Sequence, residues 1–227
     1  QSCKRMEVLV EPLLDEKTLE SFCLALRQNE EDWVSGHKTA GWYAKTVKNN
    51  RQLAINCALY RQLSVQLHQL LMNHPLMNSM AFPKAIHSLI FSRSGPGEGY
   101  GTHLDSVRMP HGRTDLSFTV ALSDSEDYEG GDLVLEMQSV ERRFRLSAGD
   151  VVIYPSTLLH RVEPVKSGER FVAVGWIQSR IRRADQRELL FELDRARRLQ
   201  FMNHGKDDVF DLVSRSYNNL FRLWDEG

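Results

Sequence analysis

A chain of 227 residues, 41% hydrophobic and 26% charged, has the size and composition of one globular domain with terminal additions. Its 29 Lys and Arg against 30 Asp and Glu leave a formal net charge of -1, which argues against general attraction to nucleic acid or to an acidic membrane surface. No apolar run of about 18 residues offers a membrane span, the polar start Gln1 to Arg5 lacks a signal-peptide core, and Cys3, Cys23 and Cys57 suggest neither a disulfide framework nor a zinc cluster, so a cytoplasmic location is expected.

Between Pro12 and Glu30 apolar residues recur at three and four, the period of an amphipathic helix, with Asp15 as its N-cap. Trp33 to Val47 reads as short strands and turns around Gly36 and Gly41, followed by the polar cluster Lys48 to Gln52, either an exposed loop or a pocket lining. The spacing predicts a second helix from about Ala54 to Asn73, stopped by Pro75. Strands are then expected at Ala85 to Arg93, Asp115 to Ser123, Gly131 to Met137, Glu141 to Leu146, Asp150 to Tyr154 and Arg170 to Gln178, with glycine-bearing turns between them. Short strands at such spacing indicate a sandwich or barrel rather than a parallel α/β sheet. Helix returns at Ala184 to Gln200 and Lys206 to Trp224, turning at His204-Gly205; this hairpin also offers a surface for a homo-oligomer. Its arginines alternate with Asp185, Glu188, Glu192 and Asp194, so a salt-bridged face is expected rather than a polyanion site.

Within Tyr100-Gly101-Thr102-His103-Leu104-Asp105, strand periodicity puts His103 and Asp105 on one face, where an imidazole and a carboxylate can share a metal ion. Among the remaining histidines, His160 follows a strand and turn that return it toward the sheet, which favours it as third ligand over His111. Two imidazoles and one carboxylate leave open coordination positions, the arrangement of non-haem Fe(II) enzymes that use O₂. On the strand opening at Arg170, period two puts Arg170, Val172, Val174 and Trp176 on one face, so an inward arginine implies a buried anion.

His103, Asp105, His160 and Arg170 ten residues further resemble the Fe(II)/2-oxoglutarate-dependent dioxygenases of the prolyl 4-hydroxylase type. The segments Val47 to Asn50, Arg113 to Ser117, Trp176 to Ser179 and Tyr217 to Leu220 resemble the bacterial PKHD-type hydroxylases, and the likeness covers nearly the whole chain. The resemblance implies an α+β fold: a double-stranded β-helix, or jelly roll, over residues 81–180, N-terminal support from 1–80 and a C-terminal helical extension from 181–227. It implies Fe(II) on His103, Asp105 and His160, 2-oxoglutarate and O₂ as co-substrates, the distal carboxylate on Arg170, and L-ascorbate as reductant. Where many relatives carry a tyrosine nine residues before the first iron histidine, this chain has Ser94; either Ser94 or Thr119 on a neighbouring strand is expected to take its place.

The expected reaction is hydroxylation of a substrate the sequence does not identify, with release of succinate and CO₂ and a link to iron homeostasis. Asp105 argues against halogenation, for which related enzymes place a small residue there. The alternatives are a non-catalytic iron-binding or iron-sensing jelly roll, and nucleic-acid demethylation, which would need an aromatic and basic cluster that the surroundings of His103 lack. Lys48, Asn49, Asn50 and Arg113 are candidates for the pocket rim.

Overall fold

The structure, a computed structural model, describes residues 8–36, 47–138 and 140–227. The N-terminal part supplies β1 (Leu9–Pro12), α1 (Glu16–Gln28), β2 (Trp33–Ser35), β3 (Lys48–Asn49), β4 (Arg51–Leu53) and α2 (Ala58–Asn73). The middle runs through β5 (Pro83–Ser94), β6 (Gly99–His103), β7 (Arg108–Met109), β8 (Gly112–Arg113), β9 (Leu116–Ala121), β10 (Tyr128–Gly130) and β11 (Leu133–Met137). It continues with β12 (Val140–Phe144), β13 (Asp150–Pro155), β14 (His160–Val162), β15 (Val165–Gly168) and β16 (Arg170–Ser179), before α3 (Ala184–His204) and α4 (Asp208–Trp224).

Seven strands form one sheet in the order β1-β13-β9-β16-β5-β4-β2, and five form a second in the order β12-β11-β14-β6-β3; β10 pairs with β15 and β7 with β8. All these pairings are antiparallel. The fold is the jelly roll expected from the sequence, with helices on the outer face of the larger sheet and a helical pair at the C-terminus.

Alternation along the central strands explains this layering. On β9, Phe118 and Val120 join Phe22, Leu26, Leu63, Leu67 and Leu71 of α1 and α2 in the main core, while Ser117 and Thr119 turn toward the second sheet. On β16, Phe171, Ala173 and Ile177 face that core, whereas Arg170, Val172, Val174 and Trp176 line the space between the sheets. Burying one large apolar side chain contributes about 2 kcal/mol, so the helix side fixes the register and leaves the other face for polar groups. Leu133, Leu135, Val152 and Tyr154 form a smaller inter-sheet cluster. Ile181 and Leu190 pack with Phe82, Phe221 and Trp224 to attach the C-terminal helices.

Asp15 caps α1 as expected, its Oδ1 accepting from Thr18 N at 2.7 Å. Leu9–Pro12, for which the sequence reading named no element, pair with β13, and α1 begins at Glu16, directly after its N-cap. α2 starts at Ala58 rather than Ala54, because a turn carries Cys57 N onto the Ala54 carbonyl and Cys57 Sγ accepts from Tyr60 N. The Lys48 to Gln52 cluster is two short strands on two different sheets, with Lys48 and Gln52 buried, and not an exposed loop. The turn expected at Gly41 lies outside the described residues. On α3 the expected salt-bridged face is present: Arg197 and Arg198 both hold Asp194, and Arg183 holds Asp185.

Candidate active site

β6 and β14 are neighbours in the smaller sheet, and His103 lies directly opposite His160. Each imidazole is aimed by its own chain: His103 Nδ1 donates to the Gly101 carbonyl at 2.8 Å and His160 Nδ1 to the Leu158 carbonyl at 3.0 Å. A carbonyl only accepts, so both protons sit on Nδ1 and both Nε2 lone pairs are left for a metal. Asp105, just past the end of β6, brings Oδ1 to 3.9 Å from His103 Nε2 and Oδ2 to 3.7 Å from His160 Nε2. The three ligand atoms lie within 4.8 Å of one another, a separation one ion can bridge.

The surroundings suit a cation. Burial, reinforced by the neighbouring His160, pulls His103 down to about 4, so its ring is neutral at pH 7. Ser117 Oγ donates to Asp105 Oδ2 at 2.6 Å and stands 2.7 Å from Ser156 Oγ, which fixes the carboxylate. Tyr100 stacks on His103 with centroids 3.6 Å apart, and Tyr154 meets His160 edge-on at 5.3 Å. Two imidazole nitrogens and one carboxylate oxygen fit Fe(II), and the three residues line a cavity of about 600 Å³.

Arg170, 6% exposed, lines the same cavity from the start of β16. Tyr128 hydrogen-bonds its guanidinium, and burial pushes its pKa down, yet among the described residues no carboxylate stands within salt-bridge distance. A guanidinium stays charged even when buried, so this end of the cavity calls for an anion. Gly131 makes room for it: at φ +69° a Cβ here would lie 2.8 Å from Arg170 Cδ.

Ser94 sits opposite Arg170 in the β5 and β16 register, and both Ser94 and Thr119 are buried cavity residues. Thr119 shares a hydrogen bond with Tyr154, whose phenol burial keeps protonated. Tyr154 escaped the sequence reading; its period-two partner Val152 faces the inter-sheet core, and that parity is the signal that could have found it. Of the rim candidates, Lys48 and Asn50 line the cavity, Asn49 is exposed, and Arg113 is tied to Asp115, the Ser179 carbonyl and Glu226. His111 lies in the turn between β7 and β8 at the cavity edge, outside the His103, Asp105 and His160 cluster.

Residues 89–178 match the 2OG-Fe(II) oxygenase superfamily. Over 96% of this chain and 99% of its own length, a PKHD-type hydroxylase of Prochlorococcus marinus (strain AS9601) is 43% identical. One from Synechococcus elongatus is 45% identical over 97% of this chain and all of its own. The chain belongs to the PKHD-type hydroxylases. As a PKHD-type hydroxylase it is a dioxygenase of the 2OG-Fe(II) class, with Fe(II) as cofactor and 2-oxoglutarate and O₂ as co-substrates. A Pseudomonas putida prolyl-4-hydroxylase shares the fold, with a TM-score of 0.57 and 20% identity over 77% of this chain and 93% of that one. A Burkholderia pseudomallei oxidoreductase of the 2OG-Fe(II) oxygenase family also has a TM-score of 0.57, with 16% identity over 76% and 86% of the two chains.

Proposed function

We propose that this PKHD-type hydroxylase couples conversion of 2-oxoglutarate to succinate and CO₂ with hydroxylation of a second substrate. His103, Asp105 and His160 would hold the iron, and Arg170 the distal carboxylate. The observation that carries the reading is one cavity containing both the histidine and carboxylate cluster and a buried guanidinium with no carboxylate at salt-bridge distance among the described residues. When bound, Fe(II) and 2-oxoglutarate supply the O₂ activation and the decarboxylation.

The chain's own residues orient and shield. The Gly101 and Leu158 carbonyls hold both imidazoles in the tautomer that can ligate, and Ser117 keeps the Asp105 carboxylate turned toward them. Arg170 and Tyr128 receive the far end of the dicarboxylate. Ser94 and the Thr119 and Tyr154 pair are the hydroxyl donors beside it, in place of the tyrosine of relatives. L-ascorbate as reductant, a cytoplasmic setting in keeping with the free thiols of Cys23 and Cys57, and a link to iron homeostasis belong to the same reading.

Succinate release from 2-oxoglutarate under air tests it. The parent protein with Fe(II) turns over, and Asp105→Ala falls by at least about a hundredfold, the scale of losing a metal ligand. An Asp105→Ala protein as fast as the parent would overturn the assignment. Metal binding with 2-oxoglutarate affinity independent of Arg170 would favour a non-catalytic iron-binding protein.

A further inference from the structure

A second cavity, of about 460 Å³, lies beside the one that holds the iron ligands, and Tyr60, Ser88, Leu89 and His111 line both. The dioxygenase reading gives it no task. Its remaining walls come from α2, through Ser64, Val65 and Gln69 among others, and from the first half of β5. Among the described residues this lining contains no Asp, Glu, Lys or Arg; its polar groups are hydroxyls, imidazoles and one amide.

A break in β5 builds the junction between the two cavities. Ile90, Ser92 and Ser94 line the iron cavity, while Leu89 and Phe91 belong to the helix-side core. The pairing with β16 then runs from Ile90 opposite Val174 to His87 opposite Trp176, so Ser88 and Leu89 together stand against Gly175. Such a bulge reverses the alternation: Ile86 enters the core, and His87 turns to the inner side, where it meets Arg113. Ser88, inside the bulge, has φ +56°, a left-handed conformation that costs little only for glycine. Serine at such a place adds a hydroxyl to what glycine would do more easily.

That hydroxyl has a defined polarity. His87 Nε2 stands 2.9 Å from the Arg113 carbonyl and Nδ1 3.0 Å from Ser88 Oγ. The carbonyl only accepts, so the ring proton sits on Nε2 and Nδ1 accepts from Ser88. With its hydrogen committed there, Ser88 Oγ is left as an acceptor at the point the cavities share. A ligand passing between them meets it with a donor. In the second cavity, whose described walls hold no carboxylate, an ammonium would be unpaired, so that donor is uncharged. Beyond it Ser64 and Gln69 can both give and take hydrogen bonds beside the apolar Val65, Ile86 and Leu89, which suits an amide on an apolar stem.

Resting on the dioxygenase reading, we propose that the second cavity is a substrate subsite entered past Ser88, and that the substrate places there an uncharged amide whose N–H donates to Ser88 Oγ. Ser88 is a specificity residue and makes no covalent bond in the reaction.

Calorimetry on the protein loaded with redox-inert Zn(II) and N-oxalylglycine, an analogue of 2-oxoglutarate that is not decarboxylated, tests this without turnover. The probes are hexamethylene bisacetamide, an uncharged chain with an amide at each end, its N,N′-dimethyl analogue, which has no N–H, and its mono-deacetylated form, which ends in an ammonium. The bisacetamide is expected to bind about tenfold tighter than either, the scale of one hydrogen bond to a buried partner. Ser88→Ala should erase its advantage over the dimethyl analogue. Val65→Trp, which fills the second cavity from α2, should weaken the bisacetamide by about tenfold. N-oxalylglycine affinity should be unchanged in both variants. Equal binding of the three probes by the parent, an N–H preference that survives Ser88→Ala, or bisacetamide affinity untouched by Val65→Trp overturns the proposal. A tenfold loss of N-oxalylglycine affinity in either variant overturns it as well, because these residues would then serve the co-substrate. If N-oxalylglycine fails to bind the parent, the dioxygenase reading itself falls; if it binds and the bisacetamide shows no advantage, only the subsite falls.

Discussion

Ser117 Oγ reaches Asp105 Oδ2 at 2.6 Å, the same oxygen that lies 3.7 Å from His160 Nε2. A residue on the larger sheet thus holds a carboxylate that faces a histidine on the smaller one. Ser117→Ala is expected to weaken Zn(II) or Co(II) binding by about 10- to 100-fold, the range for losing a partner that orients a ligand. Metal titration against a chelator measures it, and unchanged affinity would mean that Asp105 needs no such support.

Arg170→Met should leave metal affinity close to that of the parent while reducing 2-oxoglutarate affinity by at least about a hundredfold, the consequence expected if the proposed contact of its guanidinium to the distal carboxylate is lost. Arg170→Lys should recover only part of it, because an ammonium cannot offer the planar fork. Calorimetry on Zn(II)-loaded protein separates the two affinities.

Gly131→Ala tests the packing under that arginine. The new methyl group meets Arg170 Cδ at 2.8 Å and sits on a backbone with φ +69°. A destabilisation of about 1–2 kcal/mol is expected from the left-handed conformation alone. Weaker 2-oxoglutarate binding should accompany it. Urea unfolding and ligand titration of the same variant read both effects.

Lys48→Met is expected to make the metal-free protein more stable. The ammonium has a pKa of about 8 in the folded state against 10.5 ordinarily, so folding disfavours its charged form and costs up to about 3 kcal/mol at pH 7. Between pH 8 and 10.5 the unfolded chain binds the extra proton, so the parent's stability relative to the variant should rise with pH across that window and level off above it. Urea midpoints of both proteins at pH 7 and pH 10 check the sign. A Met variant less stable at pH 7 would show that the ammonium is held by favourable contacts.

The long-period features of this fold were legible in the sequence. α2 shows its buried Leu63, Leu67 and Leu71 at helical spacing, and β16 shows its two faces at period two, because one element's burial writes a pattern into one stretch. The pairing of His103 with His160 was legible as chemistry, through ligand types at strand and turn positions. Short pieces were less so: β3 is two residues long, too short for any period to show, and its polar composition left an exposed loop and a pocket lining equally open for Lys48, which is buried. Tyr154, Tyr128 and Ser117 acquire their parts only through neighbours distant in sequence, such as the Tyr154 contact with Thr119 and that of Tyr128 with Arg170. The relationship between Ser94 and Arg170 was equally hidden, since it depends on the register of β5 against β16.

The two imidazoles are oriented by main-chain carbonyls on adjacent, paired strands, and the carboxylate by a serine. Ligands aimed by the hydrogen bonds of the fold itself offer any divalent ion the same nitrogen and oxygen donors, so intrinsic preference is expected to follow the general order in which copper and zinc outrank iron. Correct metallation then depends on which ions are abundant and exchangeable when the chain is made. An inactive zinc or copper form is the expected failure when iron runs short, and catalytic competence becomes a readout of the metal ions the chain meets as it folds.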